Sequence, residues 1–165
     1  KPAPSGVHLA DGIRIGIGLP TRAHGQTTGS LVAEISQARS DCFVTATAAP
    51  CISLFKPVDL EGELPPFGRP GRRYDGRTLW WRHERLHRLA LLELDRALGI
   101  LAAERDELEG ELVARVNAGG DRAALSAEAF ARAERLEASW ESALGEHSRG
   151  DSRLPRYWLR LDRES

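Results

Sequence analysis

The chain contains no methionine, and its first residue is Lys1. A complete gene product opens on methionine, so an internal fragment, a processed chain or a trimmed length of a larger protein is expected. No apolar run approaches the roughly 18 residues that a membrane-spanning helix requires, so no membrane partner is expected. The opening residues also lack the charged-then-apolar order of a secretory leader, which says little if the natural start lies upstream. Two cysteines, Cys42 and Cys51, are too few for a disulfide framework. Both stand in apolar, strand-like surroundings. Two buried thiols are therefore favoured over a disulfide, and a reducing cytosol is the expected compartment. Neither sign of charge is in excess, the net value being −1. This balance excludes an electrostatic footprint for nucleic acid or for an anionic membrane surface. The closing arginines (Arg149, Arg153, Arg156, Arg160 and Arg163) alternate with Asp and Glu and read as solvated surface. There is no internal repeat. Gly12, Gly16 and Gly18 lack the Lys-Ser/Thr ending of a phosphate loop.

The 165 residues suit one ordinary domain or part of a larger one. Residues 1–57 form a β-strand portion. Val7 to Leu9 is a short apolar run, and Ile13 to Leu19 alternates strictly, which is the period-two signature of a strand. Leu31 to Ile35 and Cys42 to Thr47 follow, joined by the polar stretch Ser36 to Asp41, and predict an antiparallel hairpin. Ile52 to Phe55 predicts a further short strand, stopped by Pro57. Residues 58–77 form a Pro/Gly-rich linker, with Phe67 and Tyr74 available to pack on a neighbour. Residues 78–146 predict a helical hairpin. Its first member is unusually long, with Leu79, Leu86, Leu89, Leu92, Ile100, Leu108, Leu112 and Val116 at helical spacing. Gly119-Gly120 supplies the stop, and Ser126 is the expected cap of the second helix. The apolar face of that helix is Phe130, Ala133, Leu136, Trp140 and Leu144, with Gly145 near its end. Residues 147–165 read as a tail that docks its aromatics.

On local physics alone, the threonines of the strand portion are β-formers on a half-buried sheet. Their order adds more. Thr27, Thr28 and Ser30 make a turn into a strand. Phe43, Thr45 and Thr47 form an aromatic-Thr-x-Thr strand. Pro50, Ser53, Phe55, Lys56 and Pro57 form a Pro-x-x-Ser-x-Phe-Lys-Pro end, and Leu79-Trp80-Trp81-Arg82-His83-Glu84 follows. This succession resembles the C-terminal half of secernins and related dipeptidase-type N-terminal-nucleophile (Ntn) hydrolases, over roughly the first half of the chain and the start of the long helix. The resemblance implies an α+β fold, namely the C-terminal part of an αββα sandwich in which antiparallel strands precede the helical pair. It also implies a nucleophile at the first residue of the mature protein, whose own amine serves as base. Lys1 cannot be that nucleophile, and Cys42 and Cys51 lie mid-chain. The catalytic start is thus expected upstream or on a partner chain, and no catalytic residue is assigned here. Thr27, Ser30, Thr45 and Thr47 are the candidate substrate-binding residues. The expected substrate is a small peptide or similar acyl-amine, with no cofactor required.

Other features compete. His83-Glu84-Arg85-Leu86-His87 spells HExxH, which on a helix could hold zinc with Glu84 as base. A third ligand is missing at short spacing, and Arg85 puts a cation between the two, so a surface or interface histidine pair is the plainer reading. Trp80 and Trp81 point about 100° apart on a helix, so one is expected on the sheet and the other on the linker or a partner; a stacking role for a ligand also stays open. The leucine stripe could drive a homo-oligomeric coiled coil, but Gly99 and Gly110 favour a sheet-covering face. His8 and His24 read as isolated surface residues. A non-catalytic scaffold on the same fold is the alternative from another class.

Overall fold

A computed structural model describes residues 27–35 and 40–148. Among them the order is β1 (Leu31–Ile35), β2 (Ser40–Val44), β3 (Lys56–Val58), α1 (Leu79–Ala90), α2 (Leu94–Asn117) and α3 (Arg122–Ser148). The strands form one antiparallel sheet in the order β1-β2-β3, and the described architecture is α+β. The expected hairpin is present, with Leu31 opposite Val44 and Ile35 opposite Ser40. The strands expected at 7–9 and 13–19, together with His8, His24 and the tail from 149 onward, lie outside the described residues.

Several boundaries differ from expectation. β2 ends at Val44 and does not reach Thr47. Ala46 adopts φ 55° and Ala49 φ 51°, left-handed conformations that no strand can contain. Ile52 to Phe55 is not a strand. The third strand begins at Lys56 and includes Pro57, which lies opposite Phe43. Among the described residues β3 is an edge strand, where a missing N–H can face away from the ladder and proline is tolerated. Cys42 is buried as expected, but Cys51 is exposed in the turn after Pro50, and both thiols are free.

The long first helix is two helices, interrupted between Ala90 and Leu94. No Gly or Pro marks the break, and Gly99 and Gly110 lie inside α2 without disturbing it. The predicted series Leu86, Leu89, Leu92 and Ile100 continues across the break, so periodicity reads one helix, and a second apolar stripe, Leu86, Ala90, Leu94, Ala97 and Leu101, crosses it too. Its middle member, Leu94, is turned out to solvent, while the other four are fully buried in one core with Ile52, Leu54 and Trp140. Tertiary packing, not local propensity, sets this break.

α2 stops as the sequence predicts. Gly119 takes φ 81°, Gly119 N donates to the Val116 carbonyl and Gly120 N to the Arg115 carbonyl, which is the Schellman pattern. The cap of α3 is Asp121, not Ser126. Its Oδ1 accepts from the N–H groups of Ala123 and Ala124 at 3.0 and 3.2 Å. Ser126 lies inside the helix, buried, with its hydroxyl unpartnered among the described residues. Asp121 follows the glycine stop directly, so its carboxylate is the first acceptor within reach of the free N–H groups. Arg115 pairs with Glu128, Arg132 with Glu111, and Trp140 with Glu104. Partner numbers fall on α2 as they rise on α3, so the two helices run antiparallel.

α2 and α3 both pack on β3, so the stripe covers the sheet edge as well as its partner helix. Segment 59–78 has no regular element, as expected, and Phe67 stacks on Phe130 with ring centroids 4.6 Å apart. Trp81 is the tryptophan that meets the linker, donating from Nε1 to the Gly71 carbonyl at 3.1 Å and standing edge-on to Tyr74.

Two substitutions test the corrected cap. Asp121→Ala is expected to cost roughly 1 kcal/mol of stability. Ser126→Ala removes an unpaired buried hydroxyl and should be neutral or slightly stabilising. Urea unfolding of the two variants measures the difference.

Candidate functional site

The polar residues of the strand portion converge under one strained loop. Non-glycine residues in the left-handed region cost on the order of 1–2 kcal/mol each, and Ala46 and Ala49 lie only three positions apart. Between them Thr47 is fully buried, as is Thr45 before them. The two threonines approach each other's backbone: Thr45 Oγ1 donates to the Thr47 carbonyl, and Thr47 Oγ1 lies by the Thr45 carbonyl, both at 3.2 Å. The turn before β1 closes the loop from outside. Ser30 N donates to Thr45 Oγ1, Thr45 N to the Ser30 carbonyl, and Ala49 N to the Thr27 carbonyl.

From the inner side runs a chain of hydrogen bonds. Thr47 Oγ1 meets Ser53 Oγ at 3.0 Å, Ser53 Oγ meets His83 Nε2 at 2.9 Å, and His83 Nδ1 meets Glu137 Oε1 at 2.9 Å. None of these side chains is more than 4% exposed apart from the loop tip. The chain joins the strained loop, α1 and α3. Its connectivity, with a hydroxyl on Nε2 and a carboxylate on Nδ1, is that of a serine-hydrolase triad. The surroundings are not. Ser53 Oγ also lies 3.0 Å from the Ala48 carbonyl and 3.2 Å from the Ala49 carbonyl. Carbonyls only accept, so the single Ser53 hydrogen is drawn to them. An acyl-transfer site needs N–H donors around its nucleophile, and here the neighbours are acceptors. Ser53 is a clamp on the loop backbone.

Burial raises the cost of an ionised Glu137, but the charge and hydrogen bond of His83, then Lys56 and Arg82, hold its carboxyl below the usual range. Its Oε2 has no hydrogen-bond partner among the described residues. Lys56 is fully buried, donates to the Leu54 carbonyl at 2.6 Å and lies over the Phe130 ring. Desolvation lowers this amine to about 8, against the pull of Glu137 and Glu109. Glu109 of α2 accepts from Phe55 N at 2.8 Å. Desolvation raises its carboxyl to about 7, against that bond, Arg105 and Lys56.

The HExxH residues do not form a surface pair, since both histidines are buried. Each ring nitrogen of His83 is already engaged, and His87 Nδ1 faces Glu84 at 3.3 Å. Burial opposes the charge on Glu84, but His87 and Arg88 together hold its carboxyl low. Among the described residues no group of three His, Cys, Asp or Glu side chains is placed to hold a metal.

No known protein family, curated protein or solved structure matches this chain. The site is therefore read from its geometry. Of the sequence candidates, Thr45, Thr47 and Ser30 are brought together with the Thr27 backbone. The Thr45 and Thr47 side chains are fully buried. Glu137 and Glu109 were not candidates. The signal was present: each carboxylate interrupts an apolar helix stripe, Glu137 between Ala133 and Trp140, and Glu109 between Leu101 and Leu112.

Two outcomes follow for the buried charges. His83→Ala strips Glu137 of its partner and should cost about 3–5 kcal/mol, read by denaturant unfolding. In the pH profile of stability, the folded state holds a proton on Glu109 that the unfolded chain releases above the carboxylate's ordinary 4.5. Stability should fall as pH rises from there to about 7. Lys56 loses its proton in the folded state at about 8 while the unfolded amine keeps it to 10.5, so stability should rise again over that interval. Glu109→Gln should remove the fall and Lys56→Met the rise.

Proposed function

We propose that this chain is the C-terminal segment of a secernin-like amide hydrolase of the N-terminal-nucleophile type. In this reading the nucleophile, with its own amine as base, begins an upstream half of the protein or a partner chain. The substrate is a dipeptide or a similar small acyl-amine. The observation that carries the reading is the 2.9 Å contact between Ser53 and His83. It joins two pieces of the family-like pattern that lie thirty residues apart, and Thr27, Ser30, Thr45 and Thr47 meet the same unit. Pattern residues that only formed a generic half-buried sheet would have no reason to converge on one buried polar chain. The described sheet and helices would supply one sheet and one helical layer of an αββα sandwich.

The strained loop is the natural rim of such a site. Its tip at Ala46 is exposed, while its inner side is tied to the polar chain. Thr27 and Ser30 lie beside that rim and are the stronger candidates for touching substrate. The hydroxyls of Thr45 and Thr47 shape the rim from within. The HExxH alternative is weakened because His83 has no free ring nitrogen to offer a metal.

Mass analysis of the natural protein identifies the residue that opens its mature form, and a dipeptide hydrolysis assay reads its activity. A Cys, Ser or Thr at that position with measurable turnover is expected, and the 165-residue chain alone should be inactive. Turnover by the isolated chain would overturn the reading. A non-nucleophilic start with no turnover would instead favour a scaffold built on the same fold.

A further inference from the structure

We propose that Ser53, held by His83 and Glu137, is a positioning latch that keeps the Thr45–Ala49 loop in its strained form. Ala46 and Ala49 at φ 55° and 51° occupy conformations that favour glycine. Alanine persists there only where the surroundings over-determine the backbone. The structure shows what does so. Ser53 Oγ reaches the carbonyls of Ala48 and Ala49 and the hydroxyl of Thr47, three successive residues of the loop. Ser53 is itself fixed by the His83 ring, which cannot turn because Glu137 holds its other nitrogen. The anchor at the far end sits on α3, the longest of the described elements. Strain in an exposed-tipped loop is thereby set against the helical core.

The latch deepens the hydrolase reading and rests on it for one purpose only. In that reading the loop backbone is the rim that aligns the scissile amide, and misplacement by a fraction of an ångström lowers turnover more than binding. Ser53 and His83 are then positioning residues, since neither faces a substrate.

Hydrogen exchange on the natural full-length protein tests the latch without any assay of activity. The amides of Thr45 and Ala49, bonded to the Ser30 and Thr27 carbonyls, report the loop. Ser53→Ala should speed their exchange by about tenfold or more, with α2 and α3 amides unchanged. Thr47→Val removes only the Thr47 hydroxyl and leaves the Ser53 bonds to the Ala48 and Ala49 carbonyls, so it should give a smaller loss confined to the same loop; if Ser53→Ala does not fold, Ser53→Gly serves in its place. Adding Ala46→Gly, which relieves the strain without touching the polar chain, should recover part of the protection. Unchanged loop exchange, a uniform loss across the fold, or no recovery with glycine would overturn the latch. A second arm reads dipeptide hydrolysis: Ser53→Ala should lower kcat about tenfold with KM little changed. If the wild-type protein hydrolyses no amide, the hydrolase reading fails while the exchange arm still decides the latch. If the wild type is active and Ser53→Ala keeps full kcat, the latch has no part in turnover.

Discussion

A histidine with no solvent contact has to find partners for both ring nitrogens inside the protein. That requirement organises the molecule around His83. Its Nδ1 demands Glu137 from α3, and its Nε2 demands Ser53 from the segment before β3. α1, α3 and the strained loop are thereby fixed to one another by two short hydrogen bonds. Hydrophobic contacts around them are non-directional and would tolerate small slides of one element on the next. The polar chain does not, because each bond loses its value within a few tenths of an ångström. Apolar burial supplies most of the driving force, and the His83 chain selects the arrangement.

The buried charges are costly by the same reasoning. Lys56, Glu109 and Glu137 are all taken from water, and their titration is displaced in the direction that desolvation or pairing dictates. Replacing such groups by apolar residues of similar volume is often neutral or stabilising elsewhere. Stability alone therefore explains their retention poorly. The acceptors around Ser53 matter as much as the triad-like distances, because they turn a nucleophile's geometry into a clamp.

Much of the fold was legible in the sequence. The β1–β2 hairpin, the glycine stop at Gly119 and the apolar face of α3 all follow from short-range rules of period and turn chemistry. Two of the failures share a cause. Pro57 inside a strand and the break before Leu94 each depend on what the segment packs against, and an edge position or an expelled leucine is a fact about context that no window of sequence holds. The Asp121 cap was within reach of the sequence, since Asp121 directly follows the glycine stop. Within the site, Thr45 and Thr47 were visible as a pattern, but their burial was not, because the left-handed turn at Ala46 decides it.

The sequence by itself determined which segments are strand-like or helical, the absence of a charge excess, and the order in which Thr, Ser, Lys and His residues follow one another. Period and composition are local properties, so they survive without the fold. Tertiary structure alone decided that Ser53 meets His83, that Glu137 stands behind both, and that Lys56 lies with them out of water. Those contacts span thirty to more than fifty residues of chain, and no spacing rule reaches that far. Only the packing of α1 and α3 beside the sheet brings such distant groups within hydrogen-bond reach.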